Sequence, residues 1–181
     1  MGALWLDKRL SEALFRRAGA GRGPVRRALR LLELLGMGYL WFGGPLAVLA
    51  LSSDTRLCAD ARTLLAAMLL NLACAAAVKA VVRRPRPAYN VRDTLELSVD
   101  RFSFPSGHAS RASSLAALLG AGCTAHPAAR AGLAVWAATT GVSRVVLGRH
   151  YASDVAAGCL LGLAEARLVL AFAPPLSTVC S

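Results

Sequence analysis

Five apolar runs constrain this chain more than any other feature. Residues 34–52, 61–82, 108–124, 130–147 and 151–173 each approach the roughly 20 mostly apolar residues needed to cross a bilayer core, with basic blocks and short loops between them. Over the 181 residues, mean hydropathy is +0.50 despite a formal net charge of +11. The arginines gather in blocks beside the apolar runs, as suits a membrane bearing anionic lipid. A soluble nucleic-acid binder would spread its Lys and Arg over one surface with less apolar sequence between them, so nucleic acid is excluded as a partner. The pattern predicts an all-α integral membrane bundle of four to five transmembrane helices plus an N-terminal amphipathic helix. Run 108–124, short and carrying Arg111, is the weakest of the five.

Three regions follow. Residues 1–33 form a basic amphipathic segment, with Leu6, Leu10 and Leu14 at helical spacing and Lys8, Arg9, Arg16 and Arg17 largely elsewhere on the wheel. Their pattern is not that of a signal peptide. Residues 34–173 hold the transmembrane domain, and 174–181 a short tail. Gly43, Gly44 and Pro45 predict a kink in the first run, and Asn71 and Lys79 interrupt the second. The short connections 53–60 and 125–129 predict antiparallel hairpins. The five cysteines have no ligand spacing, which indicates neither a zinc site nor a dense disulfide framework.

The unusual chemistry lies in three polar knots. In "KAVVRRPRP" (79–87), Lys79 sits near the end of an apolar helix that Pro85 and Pro87 terminate. An ionisable residue inside a span is costly and therefore a functional candidate. In "PSGH" (105–108), Pro and Gly suit a tight turn into a helix whose free N–H groups and positive dipole end favour an anion. Ser106 adds a hydroxyl, and His108 a group that exchanges a proton near neutral pH. In "SRVVLGRHYASD" (143–154), His150 and Asp154 are four apart and share a helix face. A carboxylate on one ring nitrogen leaves the other as a nucleophile or base. Gly158 and Gly162 continue that face and let another helix pack closely beneath it. Arg144 offers a fixed-charge fork for phosphate oxygens. Taken singly, each knot has a bland structural explanation: a snorkelling lysine, a capped helix, a capping pair. The order of the spans, however, brings all three to one membrane face. It collects Lys79, Arg86, Ser106, His108, Arg144, His150 and Asp154, a set so cationic that it suits a phosphate better than a metal.

The pattern Lys79…Arg86-Pro87, Pro105-Ser106-Gly107-His108 and Ser143-Arg144…His150…Asp154 resembles that of the type 2 phosphatidic acid phosphatase superfamily. The wider stretches "SVDRFSFPSGHASRA" and "SRVVLGRHYASDV" look most like its polyisoprenoid (presqualene) diphosphate phosphatase branch. The resemblance implies a membrane enzyme that removes phosphate from presqualene-, farnesyl- or geranylgeranyl-type diphosphates through a phosphohistidine. It makes His150 the nucleophile, Asp154 its orienting carboxylate and His108 the acid. Lys79, Arg86, Ser106, Gly107 and Arg144 would hold the phosphoryl oxygens, with no metal and no cofactor. A phosphatidate or sphingoid-phosphate phosphatase is the alternative enzyme, and a non-catalytic nuclear-envelope or endoplasmic-reticulum scaffold the alternative outside enzymology. The same branch implies residence in those membranes.

Charge argues sidedness. Lys8, Arg9, Arg16, Arg17, Arg22, Arg26, Arg27 and Arg30 outnumber Asp7, Glu12 and Glu33, so the N-terminal segment is expected in the cytosol. Two crossings return loop 83–107, with Arg83, Arg84, Arg86, Arg92 and Arg101, to that side. The catalytic face is then cytosolic and the tail with Cys180 lumenal, opposite to the better-known lipid phosphatases.

Overall fold

The computed structural model describes residues 2–18, 23–90, 101–123, 126–173 and 176. Among these residues seven helices follow in order: α1 Gly2–Arg17, α2 Pro24–Leu35, α3 Gly38–Leu51, α4 Thr55–Val82, α5 Gly107–Gly122, α6 Pro127–Val146 and α7 Ala152–Phe172. The protein is an all-α membrane bundle. Three stretches among the described residues are long and apolar enough to cross a bilayer: Pro24–Leu51, Thr55–Val82 and Ala152–Phe172. Runs 108–124 and 130–147 form α5 and α6, which fall outside that group. Both are diluted by polar groups, Arg111, Ser110, Ser113 and Ser114 in α5 and Arg130, Thr139, Thr140, Ser143 and Arg144 in α6. Those of α5 and the last turns of α6 are largely buried against neighbouring helices, so the bundle carries them where lipid could not.

Local signals fix the helix ends. Asp54 caps α4 by accepting from the N–H groups of Arg56 and Leu57. At the other end Arg83 takes the left-handed conformation (φ 48°) and Pro85 prevents continuation. Ser106 caps α5, its Oγ accepting from Ala109 N. The α3 helix runs through Pro45, and Trp41 at its start tilts against Trp136 of α6.

The tightest packing joins α5 and α7, and two glycines permit it. A Cβ at Gly158 would meet the Ser106 carbonyl oxygen and Ala109, and one at Gly162 would overlap the carbonyl oxygen of Ser110. The apolar core lies below, where Ala67, Met68, Leu115, Leu118, Leu119 and Ala166 are buried together. A buried polar node ties three helices at mid-height. Asn71 of α4 donates to Ser110 Oγ (2.7 Å) and Glu165 Oε2 (2.8 Å), and Ser110 Oγ also reaches Glu165 (3.3 Å). Such bonds fix the register of helices whose apolar surfaces alone discriminate poorly in lipid.

Candidate active site

The C-terminal ends of α2, α4 and α6 meet the N-terminal ends of α3, α5 and α7 at one end of the bundle. Two loop segments cover it. Residues 83–90 and 101–106 run antiparallel there, with a bridge between Pro85 and Phe102 and a bond from Ser103 N to Arg84 O (2.9 Å). The first knot is thereby laid beside the second. Lys79, buried, donates to Phe102 O at 2.8 Å, and Ser106 N donates to the carbonyl of Asp154 at 3.0 Å. Those two bonds join the ends of α4, α5 and α7.

The third knot turns on Gly148, whose φ of +74° a residue with a side chain rarely adopts and against which Phe15 and Tyr89 pack. After that turn the Arg144 carbonyl accepts from both Arg149 N (2.9 Å) and His150 N (3.2 Å). His150 therefore projects from a loop fastened to α6 on one side and α7 on the other. Its Nδ1 is 2.7 Å from Ser103 O, with Asp154 Oδ2 farther off at 3.8 Å. Two acceptors thus face Nδ1, which leaves Nε2 as the lone-pair nitrogen. Burial holds the imidazole well below its ordinary range, at about 4. The charges of Arg86, Arg144 and Lys79 act in the same direction against the opposing pull of Asp154. At neutral pH the ring is an uncharged base.

Around it stand the cationic groups. Arg86 Nη1 donates to Arg149 O at 3.3 Å. Arg144 is buried, with Nη2 on Glu33 Oε1 (2.9 Å) and with Nε and Nη1 buried and lacking a partner among the described residues. His108 Nε2 is likewise buried without one, and its ring feels the charges of Arg144, Arg111 and Arg86. Leaving a buried donor unsatisfied costs about 1–3 kcal/mol and more when it is charged, so these atoms point to a ligand that supplies acceptors. Gly107, at the start of α5, has open space where a Cβ would stand. All eight residues singled out from sequence lie at this end of the bundle.

Five others join them that sequence reading passed over. Arg84 bridges Asp154 Oδ1 (2.6 Å) and Asp7 Oδ2 (2.7 Å) and lies over the Tyr151 ring. Glu33 pairs with Arg144 and stands 3.7 Å from Arg149 Nε, and Arg149 is fully buried. Ser103 supplies the carbonyl facing His150, and Asp7 comes from α1. One signal was available: the residue before a proline is biased away from helix, so Arg84, ahead of Pro85, had to leave α4 for the loop over the site.

Fold and site together define a transmembrane helical bundle with buried cationic and histidine side chains gathered at one end. The chain belongs to the PAP2 superfamily, whose model matches residues 60–177. It is 37% identical over 131 residues to a probable lipid phosphate phosphatase beta of Arabidopsis thaliana, covering 58% of this chain and 62% of that protein. It is 36% identical over 100 residues to a decaprenylphosphoryl-5-phosphoribose phosphatase of Mycobacterium tuberculosis, covering 54% of this chain and 52% of that one. The chain thus spans between half and two thirds of the length of these relatives. In fold it resembles the transmembrane PAP2-type phosphatidylglycerolphosphate phosphatase from Bacillus subtilis (TM-score 0.73, 22% identity, 95% of this chain and 87% of that one). Aquifex aeolicus LpxE is also similar (TM-score 0.64, 24% identity, 90% and 96%).

Proposed function

We propose that the protein is a metal-independent membrane lipid phosphatase acting on polyisoprenoid diphosphates through a phosphohistidine. The observation that carries this reading is the convergence of Arg144 Nε and Nη1 and His108 Nε2, buried without partners among the described residues, beside a neutral His150. His150 Nε2 attacks phosphorus while Ser103 O and Asp154 hold the proton on Nδ1. Lys79, Arg86, Ser106, Gly107 and Arg144 bind the phosphoryl oxygens, whose charge spreads in the transition state. His108 gives a proton to the departing oxygen. Water, giving a proton to His108, then attacks phosphorus and breaks the phosphorus–nitrogen bond, releasing phosphate and restoring both histidines.

A lipid substrate is favoured by the setting. A cleft of about 720 Å³ lies between α5, α6 and α7, lined by Ala116, Ala117, Ala134, Ala138 and Leu163, with room for a hydrocarbon chain. A phosphatidate or sphingoid phosphate would use the same pocket, so a panel decides. Phosphate release from isoprenoid diphosphates, phosphatidate, sphingosine phosphate and glucose phosphate should rank the isoprenoids first. It should survive EDTA and be blocked by vanadate. A preference for the sugar phosphate, or loss with EDTA and recovery with magnesium, would overturn the reading.

The catalytic face is assigned to the cytosol, of endoplasmic reticulum or nuclear envelope. Arg83, Arg84 and Arg86 support this under the positive-inside rule. So does Cys123 at the far end of α5, which is disulfide-bonded, as befits an oxidising compartment. An epitope near Asn90 should be labelled once the plasma membrane alone is permeabilised. Labelling only after the internal membrane is opened would reverse the assignment.

A further inference from the structure

The first turn of α7 carries Asp154 and follows directly on His150, yet its own N-cap residue, Tyr151, provides no side-chain cap. A helix start leaves up to four N–H groups without intrahelical partners. Here α1 supplies partners from outside the helix. Ala152 N donates to Ser11 Oγ (2.9 Å), Ser153 N to Asp7 Oδ1 (3.0 Å) and Ser153 Oγ to Asp7 Oδ2 (2.6 Å). Ser11 Oγ is itself fixed by donating to Asp7 O (2.7 Å). One turn further along α1, Phe15 stacks on Tyr89 with ring centroids 4.9 Å apart, and both press on Gly148. The amphipathic helix is therefore fastened to both ends of the loop that presents His150.

We infer that Asp7 is a positioning residue of this active site, acting through Arg84 and Ser153 on Asp154 and thereby on His150. The inference rests on the phosphatase reading above. Arg84 is shared: Nη2 bonds Asp7 Oδ2 (2.7 Å), while Nη1 bonds Asp154 Oδ1 (2.6 Å) and Ser153 Oγ (2.7 Å). With Oδ1 so occupied, Asp154 turns Oδ2 towards Tyr151 N (2.9 Å) and the His150 ring (3.8 Å). Charge matters as much as orientation. One guanidinium stands between two carboxylates, so the Asp7 charge limits how far Arg84 neutralises Asp154. Without it Arg84 would pair with Asp154 alone, and the carboxylate would stabilise the proton on His150 less. Despite burial, the bonds from Ser153 and Arg84 hold the Asp7 carboxyl below its ordinary range, so it carries that charge at neutral pH.

Asp7→Asn keeps the shape and removes the charge. In detergent-solubilised full-length protein, kcat should fall about ten- to a hundredfold, the size expected when a group supporting an acid–base step is lost. KM should stay within about twofold, because no phosphate-binding residue is touched. Asp7→Glu should restore most of kcat, and in an Asp154→Asn background Asp7→Asn should cost little more. Unfolding temperatures are measured alongside. Asp7→Asn at wild-type kcat would overturn the inference and leave the phosphatase reading standing. So would a loss of activity that tracks loss of folded protein and is not recovered in Asp7→Glu. A wild-type protein inert towards every lipid phosphate in the panel would remove that reading, and this inference with it.

Discussion

Glu33 is the residue whose replacement says most about the anion pocket. It comes from the last turn of α2, is buried, and places Oε1 2.9 Å from Arg144 Nη2, the guanidinium assigned to the phosphoryl group. Its second oxygen, Oε2, is buried without a partner among the described residues. Glu33→Gln keeps an acceptor for Arg144 but removes a negative charge. In the absence of an anion the variant should lose about 3 kcal/mol of stability, the low end for breaking a buried pair, since the amide oxygen still accepts one bond. With an anion bound the sign reverses. Two unit charges about 5 Å apart on one guanidinium repel by roughly 3 kcal/mol at an effective dielectric of about 20. Removing that repulsion should tighten vanadate or phosphate binding about a hundredfold, at about 1.4 kcal/mol per factor of ten. The assay compares vanadate inhibition constants, and the rise in unfolding temperature with vanadate, for wild type and Glu33→Gln. The variant should start lower and gain more. Vanadate binding that is unchanged or tenfold weaker would refute the reasoning, and would mean that Glu33 only orients Arg144.

Two glycines separate packing from binding. Gly162→Ala sets a Cβ against the Ser110 carbonyl oxygen and should cost about 1–3 kcal/mol or more of stability, read as a lower inactivation temperature. Gly107→Ala meets open space, so its unfolding temperature should match wild type while KM for the phosphate head group rises. His150 makes stability depend on pH. Its folded pKa of about 4 lies below the ordinary 6.5, so on acidification the unfolded chain takes up a proton that the folded protein refuses. That contribution is intact above pH 6.5 and falls as pH drops towards 4, by at most about 3 kcal/mol. The pH dependence of thermal unfolding should flatten over that window in His150→Gln. An identical slope in the variant would contradict it.

The parts of the site legible in sequence were those whose chemistry is written locally. Ser106 and Gly107 open a helix, Pro85 and Pro87 end one, and His150 and Asp154 share a face, so their residue types and spacings declare them. Gly158 and Gly162 declared a close helix contact in the same way, and the structure makes α5 the partner. Residues brought in by tertiary approach were not legible. Glu33 read as one acid in a basic amphipathic segment, because nothing in α2 says that its last turn ends against Arg144. Asp7 counted only as one acid against the basic residues of the N-terminal segment and Ser11 drew no notice, though they cap a helix more than 140 residues away in sequence. The fold itself followed from hydropathy. Hydropathy also marked runs 108–124 and 130–147 as crossings, whereas among the described residues α5 and α6 fall outside the stretches long and apolar enough to span, because their polar side chains lower the average.

The proposed chemistry turns on His150 carrying the phosphoryl group. Wild-type protein is mixed with a radiolabelled diphosphate substrate, quenched in alkali within a turnover, and the labelled peptide is mapped by mass spectrometry. The label should lie on His150 as an alkali-stable, acid-labile adduct. It should be absent from His150→Ala, whose phosphate release should fall by more than about a thousandfold while the protein stays folded. Label on another residue, or a His150→Ala protein within tenfold of wild-type activity, would contradict the account.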